Sequence, residues 1–194
     1  SIRPCAALVK TLDILLHLPH TLAMPLLNGT QAAASVRAAL AERVKTQGLH
    51  PTLCVLLVGE DPASALYVSL KERAAREIGA ELRVHAVPGI STDAACELIH
   101  SWNENPAVHG ILVQLPLPSS VDTDGVIAAI DPRKDVDSFH PENRAALLRG
   151  EGTIFSPVHL AVLHLLAQSP LRIHGAHVLI LAKSAVFSEP LAHL

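Results

Sequence analysis

The run Leu53-Cys54-Val55-Leu56-Leu57-Val58-Gly59 places the strongest limit on what this chain can fold into. It reads as a buried strand, and the residues after it have a helical pattern. Asp61 is a good N-cap, Pro62 suits the first helical position, and Gly79 stands where such a helix would stop. The alternation continues with a strand over 82–87, a helix over 92–102 and a strand over 109–115. Upstream, Ala32, Val36, Leu40 and Val44 stand at helical spacing within 31–47, with Gly48 as a stop. Strands separated by helices imply right-handed βαβ units, so the fold class expected is α/β with a parallel sheet. A further helix is expected over 158–168 and a buried strand over 176–181.

Composition narrows the function. With 194 residues, 49% of them hydrophobic, there is enough apolar material for one large domain or two small ones. A formal net charge of -3 without a basic run argues against nucleic acid as the main partner. Cys5, Cys54 and Cys96 form no C-x-x-C pair, which fits a reducing compartment and gives cytoplasmic residence as the expectation. The 12 histidines lack the companion cysteines and carboxylates of known metal sites, so no metal is expected. No apolar run reaches the roughly 20 residues that span a bilayer, and the apolar stretch 11–21 is broken by Asp13, His17 and Pro19, so no membrane partner is expected.

Chemistry concentrates just beyond the first strand. Tyr67 and Lys71 are four residues apart, which puts a phenol and an amine on one helix face near the carboxyl end of a strand, where open α/β sheets hold ligands. An amine on a half-buried face loses solvation, which lowers its pKa and lets it exchange protons near neutral pH. Further on, Asp131-Pro132-Arg133-Lys134 reads as an exposed turn.

Three stretches carry a resemblance: Asp61-Pro62-Ala63-Ser64 through Tyr67-Val68 to Lys71, then Gly110-Ile111-Leu112-Val113-Gln114-Leu115-Pro116-Leu117-Pro118, then Lys134-Asp135-Val136-Asp137-Ser138-Phe139-His140-Pro141. In order and spacing they resemble the bifunctional methylenetetrahydrofolate dehydrogenase/methenyltetrahydrofolate cyclohydrolase family, over about residues 25–141. The resemblance implies a three-layer parallel-sheet catalytic domain followed by an incomplete Rossmann-like nucleotide-binding domain. It divides the chain into an N-terminal extension (1–24), a folate-binding catalytic domain (25–150) and the start of an NAD(P)-binding domain (151–194). Met24 is the only methionine, and translation is expected to start there.

The same resemblance implies site roles. Lys71 would assist formation and hydrolysis of the methenyl ring, Gln114 would hydrogen-bond and orient it, and Tyr67 would pack against the folate ring system. Asp137 would accept hydrogen bonds from the pterin, with Ser64 and Pro116 lining the same pocket, while the competing carboxylate, Asp135, reads as structural. Lys183 and Ser184 would meet the cofactor, NADP. The partners implied are tetrahydrofolate derivatives and a second copy of the chain in a homodimer. Two reactions at one cleft are implied: hydride transfer from methylenetetrahydrofolate to NADP, then hydrolysis of the methenyl product to formyltetrahydrofolate.

Departures from the family gather after residue 137. Ser138 replaces a glycine, so the loop there is expected to turn differently if that glycine has a positive φ. The family's P-C-T-P-x-G becomes Ile154-Phe155-Ser156-Pro157-Val158-His159, and the two glycines of its nucleotide loop become Ala182 and Ser188. Glycine there lets backbone N–H groups approach a phosphate. The alternative expectation is therefore a cyclohydrolase-only or non-catalytic folate-binding remnant.

Overall fold

The computed structural model describes residues 26–170, 175–182 and 185–193. The uncharged run becomes β1 (Thr52–Val58), in which Val55 and Leu56 are fully buried. It pairs in parallel with β2 (Glu81–Val87) on one side and β3 (Gly110–Val113) on the other, giving a sheet of order β2-β1-β3. Val55 stands level with Val84 and Leu112 across the three strands. Around the sheet run α1 (Gly29–Thr46), α2 (Pro62–Ile78), α3 (Thr92–Glu104), α4 (Thr123–Ala128), α5 (Pro141–Leu148), α6 (Pro157–Ala167) and α7 (Ala185–His193).

Alternation along β1 sorts its side chains to two faces. Cys54, Leu56 and Val58 pack with Ile111 and Val113 of β3 against Ala95 and Ile99 of α3 and Val126 of α4. On the opposite face Val55 and Leu112 meet Val68 of α2, flanked by Leu53, Leu57, Leu82 and Val84. The result is helix, sheet, helix, the three layers expected.

Local signals explain where α2 begins and ends. Asp61 Oδ2 accepts from Ser64 N at 2.7 Å, Pro62 opens the helix, and Gly79 closes it in the left-handed region at φ 78°. The end of α3 is managed differently. Lys134 Nζ donates to the carbonyls of Trp102 (3.0 Å), Asn103 (2.7 Å) and Asn105 (2.9 Å), placing a cation where the helix leaves its last acceptors unpaired.

Several expectations need correction. The run 176–181 forms no strand and pairs with no described strand; Val178, Leu179 and Leu181 are 65%, 48% and 65% exposed. A strand is buried by its neighbours, and this segment has none among the described residues. The third strand is shorter than 109–115, ending at Val113 just before Pro116, which has no N–H to continue a ladder. Ser138 itself takes the left-handed conformation, at φ 59°, and its Oγ donates to Ile154 O at 3.0 Å. The turn thus keeps the backbone geometry that favours glycine, at a cost of roughly 1–2 kcal/mol. Residues 1–25, Met24 among them, lie outside the described residues, as do Lys183 and Ser184. Among the described residues no helix is long and apolar enough to cross a membrane.

Replacing Lys134 by Met removes three hydrogen bonds from a cation while keeping most of the aliphatic stem. We expect a loss of about 2 kcal/mol in unfolding free energy, measured by urea denaturation. A midpoint equal to wild type would show that the cap contributes nothing.

Candidate active site

A cleft of about 880 Å³ lies over the Val55/Leu112 face of the sheet, between α2 and the start of α6. Its wall is mostly apolar, with Leu53, Leu82, Leu112, Val136 and Phe139 contributing. Into it α2 brings Lys71, the end of β3 brings Gln114, and the turn after the 134–136 segment brings Asp137. Lys71 and Gln114, 43 residues apart in sequence, thereby share one site.

Lys71 Nζ donates to Gln114 Oε1 at 2.8 Å, and Gln114 Nε2 in turn donates to Leu115 O at 2.9 Å. The amide is therefore oriented by its own backbone neighbour, so its oxygen faces the amine. Gln114 is anchored as well by its backbone N, which donates to Leu56 O at 2.9 Å. Burial pushes the Lys71 amine below its ordinary pKa, partly offset by the Asp137 carboxylate. Asp137 moves in the opposite direction: burial raises it, Lys71 pulls it down, and Asp135 raises it further. Among the described residues no contact ion pair joins Lys71 to Asp137. The arrangement holds a poorly solvated amine and a poorly solvated carboxylate on one cavity, each sensing the other's charge.

The remaining expected residues are placed less uniformly. Tyr67 lies one turn before Lys71 on α2 and is 58% exposed, and it is not among the cleft-lining residues. Ser64 is buried in the first turn of α2, with its backbone N occupied by the Asp61 cap. Pro116 follows a cis peptide bond and is exposed beyond Gln114. Lys183 and Ser184 fall outside the described residues. Asp135, read from the sequence as structural, is buried and bonds to His140 N and Asn143 Nδ2. Among the described residues no group of three or more His, Cys, Asp or Glu is placed to hold a metal ion.

Sequence reasoning missed Gly110. A Cβ at this position would lie 2.6 Å from Val136 Cγ1 and 3.1 Å from Leu53 Cδ1, so a larger residue would push the Val136 side chain from its place beside β3. That segment is bound there by Ile111 N to Lys134 O (2.7 Å) and Val136 N to Ile111 O (3.4 Å). Its placement sets where Asp137 emerges. Gly110 stands inside a quoted motif, but nothing local to it reveals the close approach of Val136.

The fold and the cleft define a parallel α/β domain with an amine, an amide and a carboxylate gathered on one apolar-walled site. A family model described as tetrahydrofolate dehydrogenase/cyclohydrolase, catalytic domain, matches residues 27–137, and the chain belongs to that family. A bifunctional protein FolD from Acidiphilium cryptum is 44% identical over 174 residues, covering 89% of this chain and 62% of the relative. FolD 2 of Myxococcus xanthus is 43% identical over 172 residues, 86% of this chain and 60% of its own length. The chain thus matches about three fifths of these curated relatives. Among solved structures, a methylenetetrahydrofolate dehydrogenase-cyclohydrolase (FolD) of Trypanosoma brucei, complexed with NADP cofactor and inhibitor, superposes with a TM-score of 0.80 at 30% identity. That match covers 85% of this chain and 58% of the other. The FolD enzyme of Campylobacter jejuni gives 0.71 at 38% identity, over 75% of this chain and 53% of its own.

Because Asp137 supports the charged form of Lys71, Asp137→Asn should lower the lysine's pKa further. The check is a pH titration of isotopically methylated lysines by NMR, with Lys71→Arg assigning the resonance. An unchanged or raised value in Asp137→Asn would contradict the electrostatic coupling between the two groups.

Proposed function

We propose that this chain carries the folate-binding, proton-transferring half of a one-carbon enzyme that hydrolyses methenyltetrahydrofolate to formyltetrahydrofolate. The observation that carries the reading is the 2.8 Å hydrogen bond from Lys71 Nζ to Gln114 Oε1 in a cleft shared with Asp137. Hydrolysis requires water to add to the methenyl carbon and lose a proton, after which one ring C–N bond breaks, the hydroxyl proton passes to the released nitrogen and the carbon is left as the formyl group. An amine whose pKa is lowered by partial burial can take that proton, and its hydrogen bond to Gln114 Oε1 fixes where it stands in the cleft. Asp137 accepts from the amino and ring N–H groups of the pterin, where a carboxylate forms stronger bonds than a neutral acceptor. The apolar wall receives the planar ring system.

Tyr67, Ser64 and Pro116 complete the reading as substrate contacts on the strength of the family resemblance, none of them being part of the cleft lining. Tyr67 suits this role because its ring is exposed and free to lie against a bound ring. Oxidation of methylenetetrahydrofolate by NADP, with residues 151–194 contributing to the nucleotide domain, rests on the relatives, the homodimer on the family resemblance, and a cytoplasmic setting on the widely spaced cysteines. The amino end of α7 is a place that suits a phosphate. Ala182 and Ser188 do not suit it, since each puts a Cβ where the family has none. The described residues therefore do not supply a complete nucleotide cradle, and Lys71 is given no part in hydride transfer. That mismatch favours one second reading, a cyclohydrolase without redox activity.

Lys71→Met tests the central role. We expect a folded protein whose hydrolysis of methenyltetrahydrofolate falls by about a hundredfold or more, followed by the loss of the substrate's absorbance. Full activity in a folded mutant would rule the role out. The wild-type hydrolytic rate should also rise with pH through the lowered Lys71 pKa, since only the neutral amine accepts a proton. A rate that falls over that range would point to the ammonium form as the working species.

A further inference from the structure

The turn that presents Asp137 is organised by a buried carboxylate that takes no part in the proton chemistry of Lys71. Asp135 is 1% exposed, and its backbone bridges to Ile111 at the edge of β3. Its Oδ2 accepts from His140 N at 2.8 Å and from Asn143 Nδ2 at 2.9 Å. Asn143 Nδ2 also donates to Pro132 O at 2.8 Å. The His140 ring is fixed in the same knot: Nδ1 accepts from Glu142 N at 3.2 Å, and Nε2 faces Ala128 O at 3.3 Å. One carboxylate thus joins the sheet edge, the turn at Pro132 and the first turn of α5.

Stability alone does not call for a charge here. A buried carboxylate loses its hydration, and among the described residues no ion pair compensates Asp135. What the group does geometrically is close the backbone between 135 and 140 into a ring, with Asp137 on it. Ser138, held at positive φ and bonded to Ile154 O, fixes the next residue of that ring. We propose that Asp135 is a positioning residue for the folate site: its hydrogen bonds to His140 N and Asn143 Nδ2 hold the turn so that Asp137 faces the cleft shared with Lys71. This role rests on the folate-binding function proposed for the cleft.

A second consequence is electrostatic. The charges acting on Asp137 are Lys71, from α2, which favours its ionised form, and Asp135, which opposes it. Arg37 and Glu81 also line the cleft. Removing the Asp135 charge therefore makes Asp137 easier to ionise, and binding that needs the carboxylate persists to lower pH.

The test is the affinity of the full-length protein for formyltetrahydrofolate, measured by calorimetry from acidic to neutral pH, with thermal melts confirming the fold of each variant. Asp135→Asn should weaken binding about tenfold at neutral pH and move its acid limb downward. Asn143→Ala, which keeps the charge but loosens the turn, should weaken binding about threefold or more and leave the acid limb in place. Adding Asp135→Asn to Asp137→Asn should cost nothing further, since the first residue acts through the second. Wild-type affinity in a folded Asp135→Asn variant, or weakened binding with an unmoved acid limb, overturns the proposal. Should Asp135→Asn fail to fold, unchanged binding in Asn143→Ala overturns it instead. Wild-type binding by Asp137→Asn would remove the folate reading itself, and this proposal with it.

Discussion

A primary amine half withdrawn from water needs a fixed acceptor, and the cleft is built around meeting that need for Lys71. Gln114 Oε1 supplies the acceptor at 2.8 Å, and the amide cannot turn away because its own Nε2 is tied to Leu115 O. The apolar wall keeps the amine poorly solvated, while Asp137 limits how far its pKa falls. Removing the wall would leave an ordinary surface lysine. Removing the amide would leave a buried donor without a direction. An amine with a lowered pKa at a fixed position exists only because both conditions hold together.

These conditions depend in turn on backbone that touches no ligand. Gln114 is positioned because β3 sits beside β1, with Gln114 N bonded to Leu56 O. Asp137 is positioned because Gly110 lets the 134–136 segment approach β3, and because Lys134 ties that segment to the end of α3. The site therefore belongs to the sheet and its neighbours, with the helix α2 contributing one side chain at the right height. A change at any of these supports reaches the chemistry through position and not through contact.

Sequence reading recovered whatever local signals encode. The bounds of α2 were legible because Asp61, Pro62 and Gly79 each act within one turn of a helix end. The parallel sheet was legible from short apolar-rich runs alternating with helices. The meeting of Lys71 and Gln114 was not legible from periodicity, since 43 residues separate them; it came from the resemblance. Tyr67 shows the limit of that route, for a motif position says nothing of exposure, and the ring lies outside the cleft lining. The 176–181 run misled because apolar residues announce a need for burial without naming a neighbour. The helices α4 and α5 went unread: α4 has only six residues and opens on an Asp-rich, turn-like stretch, and α5 begins inside a motif read for its chemistry.

The most direct measurement is a crystal structure of the full-length protein with bound formyltetrahydrofolate. The expected result is a pterin against Asp137, with the one-carbon substituent within hydrogen-bond reach of Lys71 Nζ and the Lys71–Gln114 bond intact. A ligand bound elsewhere, or in the cleft with Lys71 turned out to solvent, would contradict the role given to Lys71.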